Sequence, residues 1–223
     1  MNERIEKLVK KTVLGEMYVY PVKTEYNRCD LFLQPIKMSA KRVCEYIRNQ
    51  EPLIVAESCF TGLITFDGSV EGDIFGRPGH KNFKIAWDNF YNQPVDNLLT
   101  FEWQHSAGDF GKLINSGIVG IKAKIRKSIE NHKDNAEAIQ FLETQSDICD
   151  ALVDWADKCS EKALSFSKTI SNKKYKKNLE KLSRSLKIVP KNPASNFYEA
   201  ILSLYVCYGF IPDSIGLIDR YLY

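Results

Sequence analysis

A mainly α-helical fold with a few short strands is predicted by three features of this 223-residue sequence. Apolar residues recur at a spacing near 3.6 from Phe110 to Ile129, the mark of an amphipathic helix. Residues 135–170 then run for about 35 positions without glycine or proline, so nothing in them breaks a helix. Five of the 12 glycines instead crowd into 60–80 among alternating apolar residues, which predicts loop and short strands. The texture therefore divides the chain into 1–107, mixed helix, loop and strand, and 108–223, a helical bundle, with no linker between them.

The elements follow in order. "MSAKRVCEYIRN" (38–49) sets Ala40, Val43, Cys44 and Ile47 on one helical stripe, with Ser39 as its expected N-cap. "EPLIVAESCF" brings an apolar run after a proline. From 108 the stripe Phe110, Leu113, Ile114, Ile118, Ile121, Ile125 and Ile129 predicts a helix with Asp109 near its start, where a carboxylate suits the helix dipole. The long helix that follows is expected to bury Ile139, Leu142, Ile148, Leu152, Trp155, Cys159 and Leu164. "SNKKYKKNLEKLSRSLKIV" predicts a basic helix. Its lysines could attract phosphates, but Leu179, Leu182 and Leu186 already account for it as an ordinary amphipathic element with a solvated face. A last helix, capped by Ser195 or Asn196, is expected to end at Gly209 and Pro212.

Composition bounds the function. With 44% hydrophobic residues the chain can bury a full core. The 31 basic and 28 acidic residues give a net charge of +3, too mild to indicate nucleic acid or membrane as a partner. No apolar run approaches the ~18 residues of a membrane span, and "MNERIEKLVKK" opens charged rather than as a leader, so a cytoplasmic protein is expected. Six widely spaced cysteines without a CxxC pair signal neither a zinc site nor a disulfide scaffold. They read as reduced, buried thiols, and no bound metal or cofactor is expected.

Few residues stand out chemically. His105, in "EWQHSAGDF", lies between Trp103 and a small-residue turn ahead of a helix, where an imidazole can face a cleft and move a proton. His80 and His132 carry less context. The sequence holds no HExxH, GxSxG, P-loop or Rossmann glycine pattern, so those chemistries lack their mechanical core.

The order of "PLIVAES", "QHSAGDFGKLINSGIVGIKAKI", a long helix, "SNFYEAILSLYVCYG" and "DSIGLIDRYLY" resembles the N-terminal part of the pyruvate formate-lyase-like glycyl radical enzymes. Three positions depart from the family pattern: Gln104 replaces the glycine before the histidine, Leu217 an arginine and Arg220 a glutamine.

The resemblance implies the helical N-terminal shell of a ten-stranded α/β barrel. It implies a glycyl radical near the C-terminus of the full-length enzyme, installed by a radical-SAM activase, which oxidises a loop cysteine. Neither the cysteine loop nor the radical glycine occurs in these residues. Cys159 stands in a Cys-x-Glu arrangement, but mid-helix and without the loop's glycines. By the same resemblance His105 is the candidate substrate-binding residue, with no catalytic residue assigned, and the chain is expected to be inactive alone. Its partners would be the remainder of the enzyme or a complementing chain, with the activase and self-association as further possibilities. The alternative is a free-standing helical interaction subunit derived from that fold. Phe101, Trp103, Tyr205, Tyr208, Phe210 and Tyr221 are not all expected to find partners within the chain.

Overall fold

The structure, a computed structural model, describes residues 2–13, 18–19, 35–64, 109–208 and 210. His80, His105 and the motif at 213–223 lie outside them, as do Phe101, Trp103 and Tyr221. The elements are α1 (Glu3–Val13), β1 (Tyr18–Val19), α2 (Pro35–Asn49), β2 (Leu63–Ile64), α3 (Phe110–Asn131), α4 (Ala136–Thr169), α5 (Lys173–Leu186) and α6 (Phe197–Tyr208). The strands form a parallel pair in which Tyr18 opposes Leu63 and Val19 opposes Ile64.

The 34-residue α4 is the axis, about 50 Å long at 1.5 Å per residue. It packs against α2, α3 and α5. Two apolar clusters form around it. Trp155, Cys159 and Ala163 of α4 meet Leu179, Leu182 and Leu186 of α5, Cys44 and Ile47 of α2, and Leu202 and Val206 of α6. Phe110, Leu113 and Ile118 of α3 meet Leu204 and Cys207 of α6. Helix α6 thus presents one side to each cluster and joins them. Helices α3, α4 and α5 each begin on a side-chain cap: Asp109 accepts from the Lys112 N–H, Asn135 from Ala138, and Asn172 from Lys174 and Tyr175. Among the described residues no helix is long and apolar enough to cross a membrane.

The structure corrects several expectations. Helix α2 starts at Pro35 rather than after Ser39, because proline suits the first turn, where its missing N–H costs nothing. Leu164 is 44% exposed while Ala163 is fully buried. The i, i+4 row through Trp155, Cys159, Ala163 and Ser167 faces the core, and Leu164 turns about 100° away from it. Helix α1 was masked by its charge. It exposes Ile5 and Val9 and docks through polar groups: the Arg4 guanidinium donates to the Glu57 carbonyl (2.6 Å) and Lys11 pairs with the Glu57 carboxylate (2.9 Å). Of the six aromatic residues not all expected to find partners, Tyr205 and Phe210 do find them inside the chain. Tyr205 stacks on Phe60 with centroids 5.0 Å apart, and Phe210 meets Trp155 and Tyr46 edge-on at 5.6 and 6.3 Å.

Candidate functional site

The segment that carries His105 leads into α3, and its described part begins at Asp109. That carboxylate accepts the Lys112 backbone N–H at 3.0 Å and pairs with the Lys112 ammonium at 2.7 Å. Those contacts, the ammonium foremost, hold its pKa below the ordinary carboxylate range. Asp109 is therefore a helix cap, while His105 lies outside the described residues.

Helix α3 is not continuous. Gly117 adopts φ 60°, ψ 176°, a backbone region essentially reserved for glycine, and the helix breaks there. The segment 190–194 lies across the break. Ile118 N–H donates to the Pro190 carbonyl and Val119 N–H to the Lys191 carbonyl, both at 2.9 Å, and Ala194 N–H donates to the Ile114 carbonyl at 3.0 Å. Backbone groups freed by the break are thus satisfied by the crossing strap. A side chain at 117 has no room: an added Cβ would lie 2.4 Å from the Asn192 carbonyl carbon and 2.7 Å from the Lys191 oxygen.

The strap feeds straight into "SNFYEA". Asn196 accepts the Glu199 N–H at 3.0 Å, while the Glu199 carboxylate accepts the Ser195 N–H (2.9 Å) and hydroxyl (2.7 Å), a reciprocal arrangement akin to a capping box. Burial raises the Glu199 pKa, but these hydrogen bonds outweigh it and the net direction is down. Tyr198 donates to the Cys59 carbonyl at 2.7 Å, lies beside Phe60, and carries the Lys181 ammonium 4.1 Å above its ring. Burial pushes its phenol well above its ordinary range. The structure therefore ties the α3 motif, "SNFYEA" and Cys59–Phe60, which follow "PLIVAES", into one assembly. Sequence spacing did not reveal this joint. The available signal was Gly117 inside an apolar stripe, together with a distant Pro190-x-x-Pro193.

No nucleophile emerges among the described residues. Cys159 is fully buried mid-helix, and burial drives its thiol far up. Cys207 is pushed up to about 12, again by burial. No set of three or more His, Cys, Asp or Glu side chains converges there. A surface groove of about 350 Å³ is lined by Arg48, Asp154, Trp155, Asp157, Lys158 and Glu161, and its charges are internally spent. Arg48 pairs with Asp154 at 2.7 Å, and Lys158 donates to the Arg48 and Gln50 carbonyls at 3.1 and 2.8 Å, closing the C-terminus of α2.

Comparison with known proteins supplies what the described side chains lack. The family described as pyruvate formate lyase-like matches residues 97–222. An isethionate sulfite-lyase of Oleidesulfovibrio alaskensis is 32% identical over 115 residues, 49% of this chain and 14% of the relative. Another from Bilophila wadsworthia is 26% identical over 145 residues, 59% and 17% of the two lengths. Among solved structures, one on 1,2-propanediol dehydration in Roseburia inulinivorans superposes with a TM-score of 0.73 at 18% identity, covering 96% of this chain and 34% of that one. The glycerol-bound B12-independent glycerol dehydratase from Clostridium butyricum gives 0.72 at 17% identity, covering 100% and 36%. The mainly helical fold is thus the one found in these enzymes, and the chain spans only part of each relative's length. The chain belongs to the pyruvate formate lyase-like family.

Proposed function

We propose that this chain is the helical N-terminal portion of a glycyl radical lyase that cleaves a carbon–sulfur or carbon–oxygen bond in a small hydroxylated substrate. The observation that carries the reading is the family match over 97–222, joined to a fold likeness covering 34–36% of two solved neighbours. The isethionate sulfite-lyase relatives support carbon–sulfur cleavage, and the dehydratase structures support its carbon–oxygen counterpart. In this reading the radical glycine and thiyl cysteine sit on residues other than these 223, and a radical-SAM activase installs the radical. The present chain provides helical wall and binds no cofactor itself. His105 contacts a substrate hydroxyl, and the strap at Gly117 holds the helix that follows His105 against "SNFYEA".

The partial coverage of relatives also supports a second reading, a free-standing helical subunit that completes a radical enzyme in trans. Both are tested anaerobically. The chain is assayed with isethionate, 1,2-propanediol and glycerol, alone and co-produced with the chain carrying the cysteine loop and radical glycine in the source cells. Activase and S-adenosylmethionine are present in each case. Turnover is expected only in the combined sample, with KM raised by His105→Ala more than kcat is lowered. Turnover by the chain alone contradicts the proposal, and an unchanged KM removes His105 from the site. Native mass separates the readings: one covalent chain supports the first, two chains in complex the second.

A further inference from the structure

Helix α1 is seated differently from every other described helix. None of its residues from Glu3 to Lys11 is buried and none belongs to either apolar cluster, whereas α2, α3, α4, α5 and α6 all carry buried residues. Its apolar side chains Ile5 and Val9 stay 49% and 48% exposed. Its described attachments to the body are polar and end on one short stretch. Arg4 donates to the Glu57 carbonyl and to the Cys59 sulfur, and Lys11 pairs with the Glu57 carboxylate. A helix held by a few polar contacts, with no buried apolar residue, lies at the low end of local stability.

The stretch beneath α1 holds its shape by other contacts. Ser58 N–H donates to the Val55 carbonyl at 3.0 Å, Gly62 N–H to the Leu53 carbonyl at 2.8 Å, and Phe60 N–H to the Ser58 hydroxyl at 3.0 Å. From the core side Tyr198 donates to the Cys59 carbonyl, Phe60 lies against Tyr198 and Tyr205, and Ile54 belongs to the larger apolar cluster. Beyond α1 the chain is pinned again where Tyr18 and Val19 pair with Leu63 and Ile64. An α1 that leaves its seat therefore stays tethered beside it.

We infer that α1 is a latch over the Cys59 thiol: it opens and closes as a unit while the rest of the fold stays intact, and its polar contacts with 57–59 set how often the thiol is bared. Cys59 is the described cysteine that α1 governs, because its sulfur takes the Arg4 guanidinium. Cys44, Cys159 and Cys207 are buried in the clusters, and Cys149 packs against the cluster formed by α3 and α6.

The test is alkylation of the full chain in its native state at rising urea, with Cys59, Cys149 and Cys159 read separately by peptide mass mapping. Labelling of Cys59 is expected to respond only weakly to urea, because opening α1 exposes little surface, while labelling of Cys159 follows global unfolding with its steep urea dependence. Lys11→Gln is expected to speed labelling of Cys59 roughly threefold, the weight of one part-exposed ion pair, and to leave the rate at Cys149 unchanged. The direction is diagnostic. Removing a positive charge from the neighbourhood of a thiol by itself disfavours the thiolate and slows alkylation, so faster labelling reports opening. Lys10→Gln, which removes an exposed charge from the same turn, is expected not to speed it. Labelling of Cys59 with the urea dependence of Cys159, a slower or unchanged rate in Lys11→Gln, or an equal gain in Lys10→Gln would each overturn the inference.

Discussion

Gly117 and Asn192 meet backbone to backbone: a Cβ built on Gly117 falls 2.4 Å from the Asn192 carbonyl carbon. These residues are 75 positions apart, and their contact makes the break in α3 and the strap before α6 a single joint. The α3 motif runs through it and "SNFYEA" follows directly from it.

The first prediction concerns that joint. Gly117→Ala introduces a side chain at φ 60° and overlaps backbone that cannot rotate away. Strain of about 1–3 kcal/mol adds to overpacking of similar size, so a loss of about 2–6 kcal/mol is expected in urea denaturation. A loss under about 0.5 kcal/mol, the range of neutral surface changes, would mean that the strap does not pack as described.

The second concerns acid. The folded pKa of Glu199 is depressed by its bonds from Ser195 and Asn196, against the opposing effect of burial. A depressed carboxylate contributes stability above its unfolded pKa and loses that contribution as pH falls through the folded value. The wild type should therefore lose stability as pH drops below the ordinary carboxylate range, and Glu199→Gln should flatten that part of the profile. At neutral pH the variant should be about 1 kcal/mol less stable, the usual worth of a helix cap. Parallel profiles of the two proteins would show that the cap is not ionised.

The third concerns the thiols. Cys159 and Cys207 are buried with raised pKa values, whereas Cys59 and Cys149 are partly exposed. Among the described cysteines, alkylation at neutral pH followed by peptide mass mapping should label Cys59 first, Cys149, whose thiol burial also pushes up, more slowly, and Cys159 and Cys207 only on unfolding. Early labelling of Cys159 would contradict its position inside the α4–α5 core.

The fourth concerns the C-terminus of α2. Lys158→Met retains the stem and removes the ammonium that closes the Arg48 and Gln50 carbonyls. The side chain is 38% exposed, so water replaces part of what is lost, and a cost of about 1 kcal/mol is expected from thermal denaturation. No change would assign those carbonyls to solvent.

The helices were largely legible in the sequence. Phe110 to Ile129 is helical on both sides of Gly117 and Asp109 stands at the start, because caps and apolar stripes are local properties. Leu179, Leu182 and Leu186 were legible for the same reason, and all three are buried. The break at Gly117 was not, since it depends on hydrogen bonds from Pro190 and Lys191 that no local window contains. Leu164 was misassigned because its neighbour Ala163 takes the buried row, a matter of which side of α4 meets α5. Helix α1 was hidden by its polar docking through Arg4 and Lys11. Of the candidate site, the motifs surrounding His105 were legible as a family pattern, and Cys159 lies fully buried in α4. The linkage of the α3 motif to "SNFYEA" and Tyr198 is tertiary and could not be read from spacing.

The central claim is that this chain gives structure to a radical lyase whose radical resides on residues other than these 223. Electron paramagnetic resonance after anaerobic incubation of the chain alone with activase and S-adenosylmethionine tests it most directly. The account predicts no glycyl doublet from this chain. A doublet that splits differently when its glycines carry deuterium would assign the radical to one of its 12 glycines and contradict the account.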